Sequence, residues 1–72
     1  MIYRFGDIEM TDPTITIIGY GVYRDSLHII VDVTDGINTI EELRLDKDGT
    51  ANDRSDEAIH ALAVELLKDY EV

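Results

Sequence analysis

Leu27, Ile29, Val31 and Val33 alternate with His28, Ile30 and Asp32. Successive side chains of a strand point to opposite faces, so this run reads as a half-buried strand of an antiparallel sheet. The four aliphatics then define the face that must be covered, and the rest of the chain has to fit around them.

The neighbouring segments supply candidates. Residues 2–5 (IYRF) read as a short strand, aromatic and β-branched, ended by Gly6-Asp7. Residues 7–13 are ambiguous: Ile8 and Met10 alternate around Glu9, which allows the first strand to continue past a kink at Gly6. Asp12-Pro13 reads as a turn, because proline fixes its own φ and keeps the residue before it out of the helical region. Residues 14–24 (TITIIGYGVYR) read as a second strand, with Ile15, Ile17 and Tyr23 on one face and Ile18, Tyr20 and Val22 on the other. Apolar residues on both faces predict a central or doubly covered strand. Asp25-Ser26 reads as the turn into the alternating strand, residues 27–33.

Asp35-Gly36 marks a hairpin, and residues 37–45 return. A two-residue turn would set Thr34 opposite Ile37 and bring Asn38, Glu42 and Arg44 onto the apolar face. A three-residue loop with Gly36 in the left-handed region shifts the pairing by one. Val33 then faces Ile37, Val31 faces Thr39, Leu27 faces Leu43, and Glu42 falls opposite His28. This bulged register is the expectation. Asp46 to Gly49 reads as a further turn.

Asn52, Asp53 and Ser55 are candidate N-caps for a helix over residues 56–70 (DEAIHALAVELLKDY). Ile59, Leu62, Ala63, Leu66 and Tyr70 form its apolar stripe, with Leu62 and Leu66 expected as the core anchors.

The expected fold is therefore α+β: an antiparallel β-meander of three to four strands, with one C-terminal α-helix packed across one face. A chain of 72 residues reads as a single small domain. At this size roughly 60% of the surface is buried on folding, which leaves little room for a deep substrate pocket. One helix cannot cover both faces of the sheet. Ile18, Tyr20, Val22, Ile30 and Ile40 are expected to form an apolar strip on the open face, and such a strip usually marks an interface.

Charge narrows the function classes. Sixteen carboxylates stand against six Lys and Arg, for a formal net charge of −10. Direct binding to nucleic acid or to an anionic membrane needs a basic surface and is not expected. The surplus is uneven: residues 1–24 carry three acids and two bases, and residues 25–72 carry thirteen acids and four bases. A concentrated acidic surface can imitate a phosphate backbone for a basic groove; the plainer reading is a solvated face. Glu41, Glu42, Asp46 and Asp48 are the candidate acidic binding residues.

Chemistry-bearing patterns are weak. Asp46, Asp48, Thr50 and Glu57 fall at positions one, three, five and twelve of a calcium-loop pattern, yet Ala51 stands where that loop needs glycine and Arg54 brings a cation. His28 and His60 have no zinc-ligand spacing, and the chain has no Cys. A His28–Glu42 pair reads as a cross-strand salt bridge before it reads as an acid–base couple. Ser26 lacks the surroundings of an activated nucleophile, and GYG is no phosphate loop because neither a helix nor a lysine follows. Tyr20 is the aromatic most suited to an interface.

No catalytic residue, metal or cofactor is expected. No apolar run reaches the length of about 18 residues that a membrane helix needs, and the first ten residues lack a signal peptide's features, which predicts a cytoplasmic protein. Size and charge suit the small accessory proteins of phages and other mobile elements. The leading expectation is a non-enzymatic acidic protein-binding module, in its sharper form an inhibitor or regulator of a basic nucleic-acid-binding protein. The alternatives are a small structural or assembly subunit forming a homodimer or larger homo-oligomer through its open sheet face, and a weak cation-binding domain.

Overall fold

The computed structural model describes residues 1–49 and 55–72. It is α+β, with five antiparallel strands in two sheets among the described residues and one C-terminal helix. Strands β1 (Ile2–Phe5) and β2 (Ile8–Thr11) form a two-stranded sheet. Strands β3 (Thr14–Tyr23), β4 (Ser26–Thr34) and β5 (Thr39–Asp48) form a three-stranded sheet in that order. Helix α1 (Asp56–Leu67) follows, with a short 3-10 turn over Lys68–Tyr70.

Strand β4 is central, and Leu27, Ile29, Val31 and Val33 are completely buried. Each of the other two strands keeps its apolar residues on this inner face by carrying one bulge. In β3, Ile15 and Ile17 lie opposite Val33 and Val31. The register then shifts between Ile17 and Gly19, so Tyr20 and Val22 lie opposite Ile29 and Leu27. In β5, Ile40 lies opposite Val33 and Leu43 opposite Val31, with the extra residue taken up at Glu41 and Glu42 across from Asp32. Directly opposed residues share a face. Without the bulges, residues three apart such as Ile17 and Tyr20, or Ile40 and Leu43, would point to opposite faces.

The bulge in β5 overturns the expected pairing. The β4–β5 loop holds four residues, Asp35 to Asn38, between the paired Thr34 and Thr39. The Asp35 carboxylate accepts the backbone N–H of Ile37 at 2.8 Å and of Asn38 at 2.7 Å, and Gly36 takes a φ of 94°. That loop chemistry replaces the three-residue turn, and Ile37 stands at its tip, 91% exposed. Glu42 does not face His28: it sits in the bulge with a φ of 54°, and its N–H donates to Asp32 Oδ1 at 3.0 Å.

The bulge in β3 corrects two further expectations. Apolar residues on both faces came from a phase shift, and β3 borders β4 alone rather than lying at the centre of the sheet. The turn also falls one residue earlier, at Arg24-Asp25, where both residues have positive φ, 50° and 62°. Two-residue hairpin loops favour this handedness because it matches strand twist.

Residues 7–13 do not continue the first strand. Gly6, with a φ of 65°, turns the chain so that Phe5 pairs with Ile8 and Tyr3 with Met10. Only glycine adopts that φ without strain. Tyr3, Phe5 and Met10 are buried with the β4 aliphatics, Leu45, Ile59, Ala63 and Leu67 in one cluster. On the hairpin's other face Arg4 Nη2 pairs with Glu9 Oε1 at 2.6 Å. Beyond the helix, the Tyr70 ring packs tilted against Phe5 with centroids 5.0 Å apart, Tyr3 forms a backbone bridge to Glu71, and Val72 N–H donates to Ile2 O at 2.9 Å.

Ser55 caps the helix by accepting Ala58 N–H at 3.2 Å, and Asp56 and Glu57 suit the positive end of its dipole. The other two cap candidates, Asn52 and Asp53, lie outside the described residues. The buried stripe is Ile59, Ala63 and Leu67, four residues apart; Leu62 and Leu66, expected as anchors, are half-buried at its margin.

Two stability predictions follow from these placements. Leu67→Ala should lower unfolding free energy by about 2–5 kcal/mol and Leu62→Ala by clearly less, measured by urea denaturation; equal losses would contradict the assigned stripe. Glu42→Gly should raise stability by about 1 kcal/mol by relieving left-handed strain, whereas Asp32→Ala should lower it by about 1 kcal/mol because the bulge N–H loses its acceptor. Matching changes in the urea midpoint would establish the bulge in solution.

Candidate functional site

The two sides of the three-stranded sheet end in unlike strands. Strand β5 carries Glu41, Glu42, Arg44, Asp46, Lys47 and Asp48, and these side chains are exposed. Strand β3 carries no Asp, Glu, Lys, Arg or His over its ten residues. The charged strand and the uncharged one flank β4 on opposite sides.

Within the acidic set the four carboxylates are not equivalent. Asp46 lies opposite His28 on the outer face. Its Oδ1 meets His28 Nδ1 at 2.5 Å and Arg44 Nε at 3.3 Å. The hydrogen bond from His28, helped by the Arg44 charge, holds the Asp46 carboxyl below the usual carboxylate range. Asp46 is therefore partly neutralised by its own neighbours. Among the described residues no cation pairs with the Glu41, Glu42 or Asp48 carboxylates. The Glu42 side chain is aimed by the bulge, whose geometry Asp32 fixes from the adjacent strand.

The expected apolar strip is divided. Ile30 remains on the outer face, opposite Gly19 and Arg44. Tyr20, Val22 and Ile40 lie opposite Ile29, Leu27 and Val33, so they belong to the inner face. Ile40 packs against the core. Tyr20 and Val22 stay 42% and 38% exposed, although they lie beside the buried Ile29 and Leu27. Ile18 sits in the bulge itself and is 53% exposed. The cause is again the phase shift: strict alternation would have kept Ile18, Tyr20 and Val22 together.

Two depressions adjoin these elements. One, of about 360 Å³, is lined by Ile17, Ile18, Gly19, Tyr20, Asp56 and Ile59. Another, of about 390 Å³, lies among Met1, Tyr3, Asp12, Ile15, His60 and Val64. Its carboxylate, Asp12, is held by the Met1 ammonium at 2.8 Å and does not pair with His60. Among the described residues no three His, Asp or Glu side chains gather as a metal site. Thr50, Ala51 and Arg54 of the calcium-loop pattern lie outside the described residues. No described helix is long and apolar enough to cross a membrane.

Comparison of the chain with protein-family models, curated proteins and solved structures finds no match. The functional reading therefore rests on the surface itself.

Two carboxylates couple this surface to pH. Backbone N–H groups of Asn38 and Ile37 hold Asp35 below its ordinary value, as His28 does for Asp46. A folded-state value below the unfolded one means that the ionised form favours folding. The contribution is present above the unfolded value of about 3.9 and is lost as pH falls through the folded value. The stability gap between the parent protein and Asp35→Asn should therefore be open at neutral pH and close in strong acid. Denaturant titrations of both proteins across that range would measure it; a gap that persists in acid would assign the effect to packing instead.

Proposed function

We propose that this protein is a non-enzymatic binding module that docks on a basic protein partner through the acidic strand β5. The observation that carries the reading is the exposure of Glu41, Glu42 and Asp48 on a border strand, with no internal cation against them among the described residues. Carboxylates already neutralised within the fold, as Asp46 is in part, contribute little long-range field. Those without partners raise the local concentration of a positively charged surface and speed encounter.

A basic nucleic-acid-binding protein is the partner class best matched to such a strand. Its groove binds charge before sequence, so a row of carboxylates on a rigid strand competes with phosphates for the same side chains. The module then acts as an inhibitor or regulator of that partner. Assembly with itself is the second reading, favoured by the uncharged strand β3.

The test is kinetic. A partner retained on the immobilised protein in about 50 mM salt should be released in about 500 mM, where screening shortens the reach of exposed charges. Reversal of Glu41, Glu42 and Asp48 to Lys should slow association with that partner about tenfold or more and leave dissociation nearly unchanged. Binding that is insensitive to salt and to the three reversals would refute the proposal.

A further inference from the structure

Strand β3 combines properties that no other described element has. Its ten residues, Thr14 to Tyr23, include no charged side chain, whereas β1 holds Arg4, β2 Glu9, β4 Asp32, and β5 six charges. No strand borders its outer side among the described residues. It carries four of the nine exposed large hydrophobic residues: Ile18, Tyr20, Val22 and Tyr23. A long, apolar border strand offers its backbone N–H and C=O groups to any strand that can approach, and proteins usually blunt such strands with charge. Here, in a chain of net charge −10, the blunting is absent at this one place.

From this placement we infer that β3 is a dimerisation edge, which pairs antiparallel with β3 of a second copy to make one continuous six-stranded sheet. Electrostatics selects the occupant. Two copies repel each other over most of their surfaces, and β3 is where they meet without setting carboxylate against carboxylate. The segment is bounded by Asp12 on one side and Arg24 on the other. Antiparallel pairing brings the Asp12 end of each copy, where the Met1 ammonium holds the carboxylate at 2.8 Å, beside the Arg24-Asp25 turn of the other, so neither end of the joined strands sets an unpaired carboxylate against another. Parallel pairing would set like beside like.

The bulge fixes where the two-fold axis passes. It divides β3 into a run from Thr14 to Ile17 and a run from Gly19 to Tyr23. With the axis at Ile18, the first run of each copy lies beside the second run of the other, and both strands bend at the same point. Gly19 and Gly21 add no side chain there, and the space where a Cβ would project is open at both. Pairing of one patch with itself closes at two copies. The acidic strands β5 remain at the two far borders of the joined sheet, so the dimer leaves the proposed partner surface accessible and doubles it.

Sedimentation and light scattering from about 1 μM to about 1 mM, in low and high salt, would test this. The expected species is a dimer that tightens as salt rises, because screening removes repulsion between like-charged copies. That is the opposite salt response to docking on a basic partner, so failure of either reading is separately visible. Thr16→Glu and Ile18→Glu, both at exposed positions, should raise the dimer dissociation constant about tenfold or more while leaving the circular dichroism spectrum unchanged. Hydrogen exchange of the β3 amides should slow as concentration rises. A monomer at the highest concentration in high salt would overturn the inference, as would a dimer indifferent to both substitutions, or an open-ended polymer.

Discussion

The unbroken alternation of Leu27, Ile29, Val31 and Val33 is the constraint on which the rest of the structure depends. All four are fully buried, and β4 runs through the centre of its sheet without irregularity of its own. The strands on either side are built to match it. Each reaches a point where its apolar residues fall out of phase, and each restores phase with one extra residue. The two bulges lie at nearly the same level of β4, around Ile30 to Asp32, so bending is concentrated there on both sides. Asp32, placed on the outer face at that level, accepts the N–H of Glu42 in one of them. Burial on one face thus dictates backbone geometry in the neighbours, and a polar side chain on the other face holds it.

Much of this was legible in the residues. The strand 27–33, the amphipathic segment after residue 55, the short first strand and the turn at Asp35-Gly36 follow from periodicity and turn chemistry, whereas Asp46 to Asp48, expected as part of a turn, continue strand β5, with Asp46 opposite His28 and Lys47 opposite Leu27. The misread strand faces share one cause. A bulge shows in sequence only as an interruption, such as Ile17 to Tyr20 or Ile40 to Leu43, and a strict period of two converts that interruption into residues on the wrong face. Strict alternation places Tyr20, Val22 and Ile40 on an open strip for this reason, and the three-residue loop sets Glu42 opposite His28. The three-residue spacing, flanked on both sides by regular alternation, is the signal that would have located both bulges. The expected helix stripe holds Ile59 and Ala63 in the core, with Leu62, Leu66 and Tyr70 packed at its margin; Leu67, which the expected stripe omits, is the buried leucine that Leu62 and Leu66 are expected to be. The acidic residues were found as a set, but their inequality needed coordinates: only geometry shows that His28 and Arg44 both converge on Asp46.

The surface has a polarity that the net charge alone conceals. An uncharged strand and a carboxylate-rich one lie on opposite sides of the same central strand, separated by β4's width. The former suits contact with a like molecule and the latter with an oppositely charged one. The two proposed contacts respond to salt in opposite senses and involve no shared residue. In the two proposed contacts the negative charge would have two roles, attracting a basic partner through β5 and steering self-association towards β3, the strand without charge among the described residues.

Residues at opposite ends of the numbering are tied together, through Tyr3 with Glu71, Ile2 with Val72 and Phe5 with Tyr70. A two-stranded hairpin has little stability alone in water. During synthesis, β1 and β2 precede by roughly sixty residues the segment that makes part of their packing surface, which is several seconds at ordinary translation rates. The sheet around β4 has its full complement of strands well before then. The β1–β2 hairpin therefore waits on residues 70–72 for contacts that fix its place, although its own turn is complete long before them.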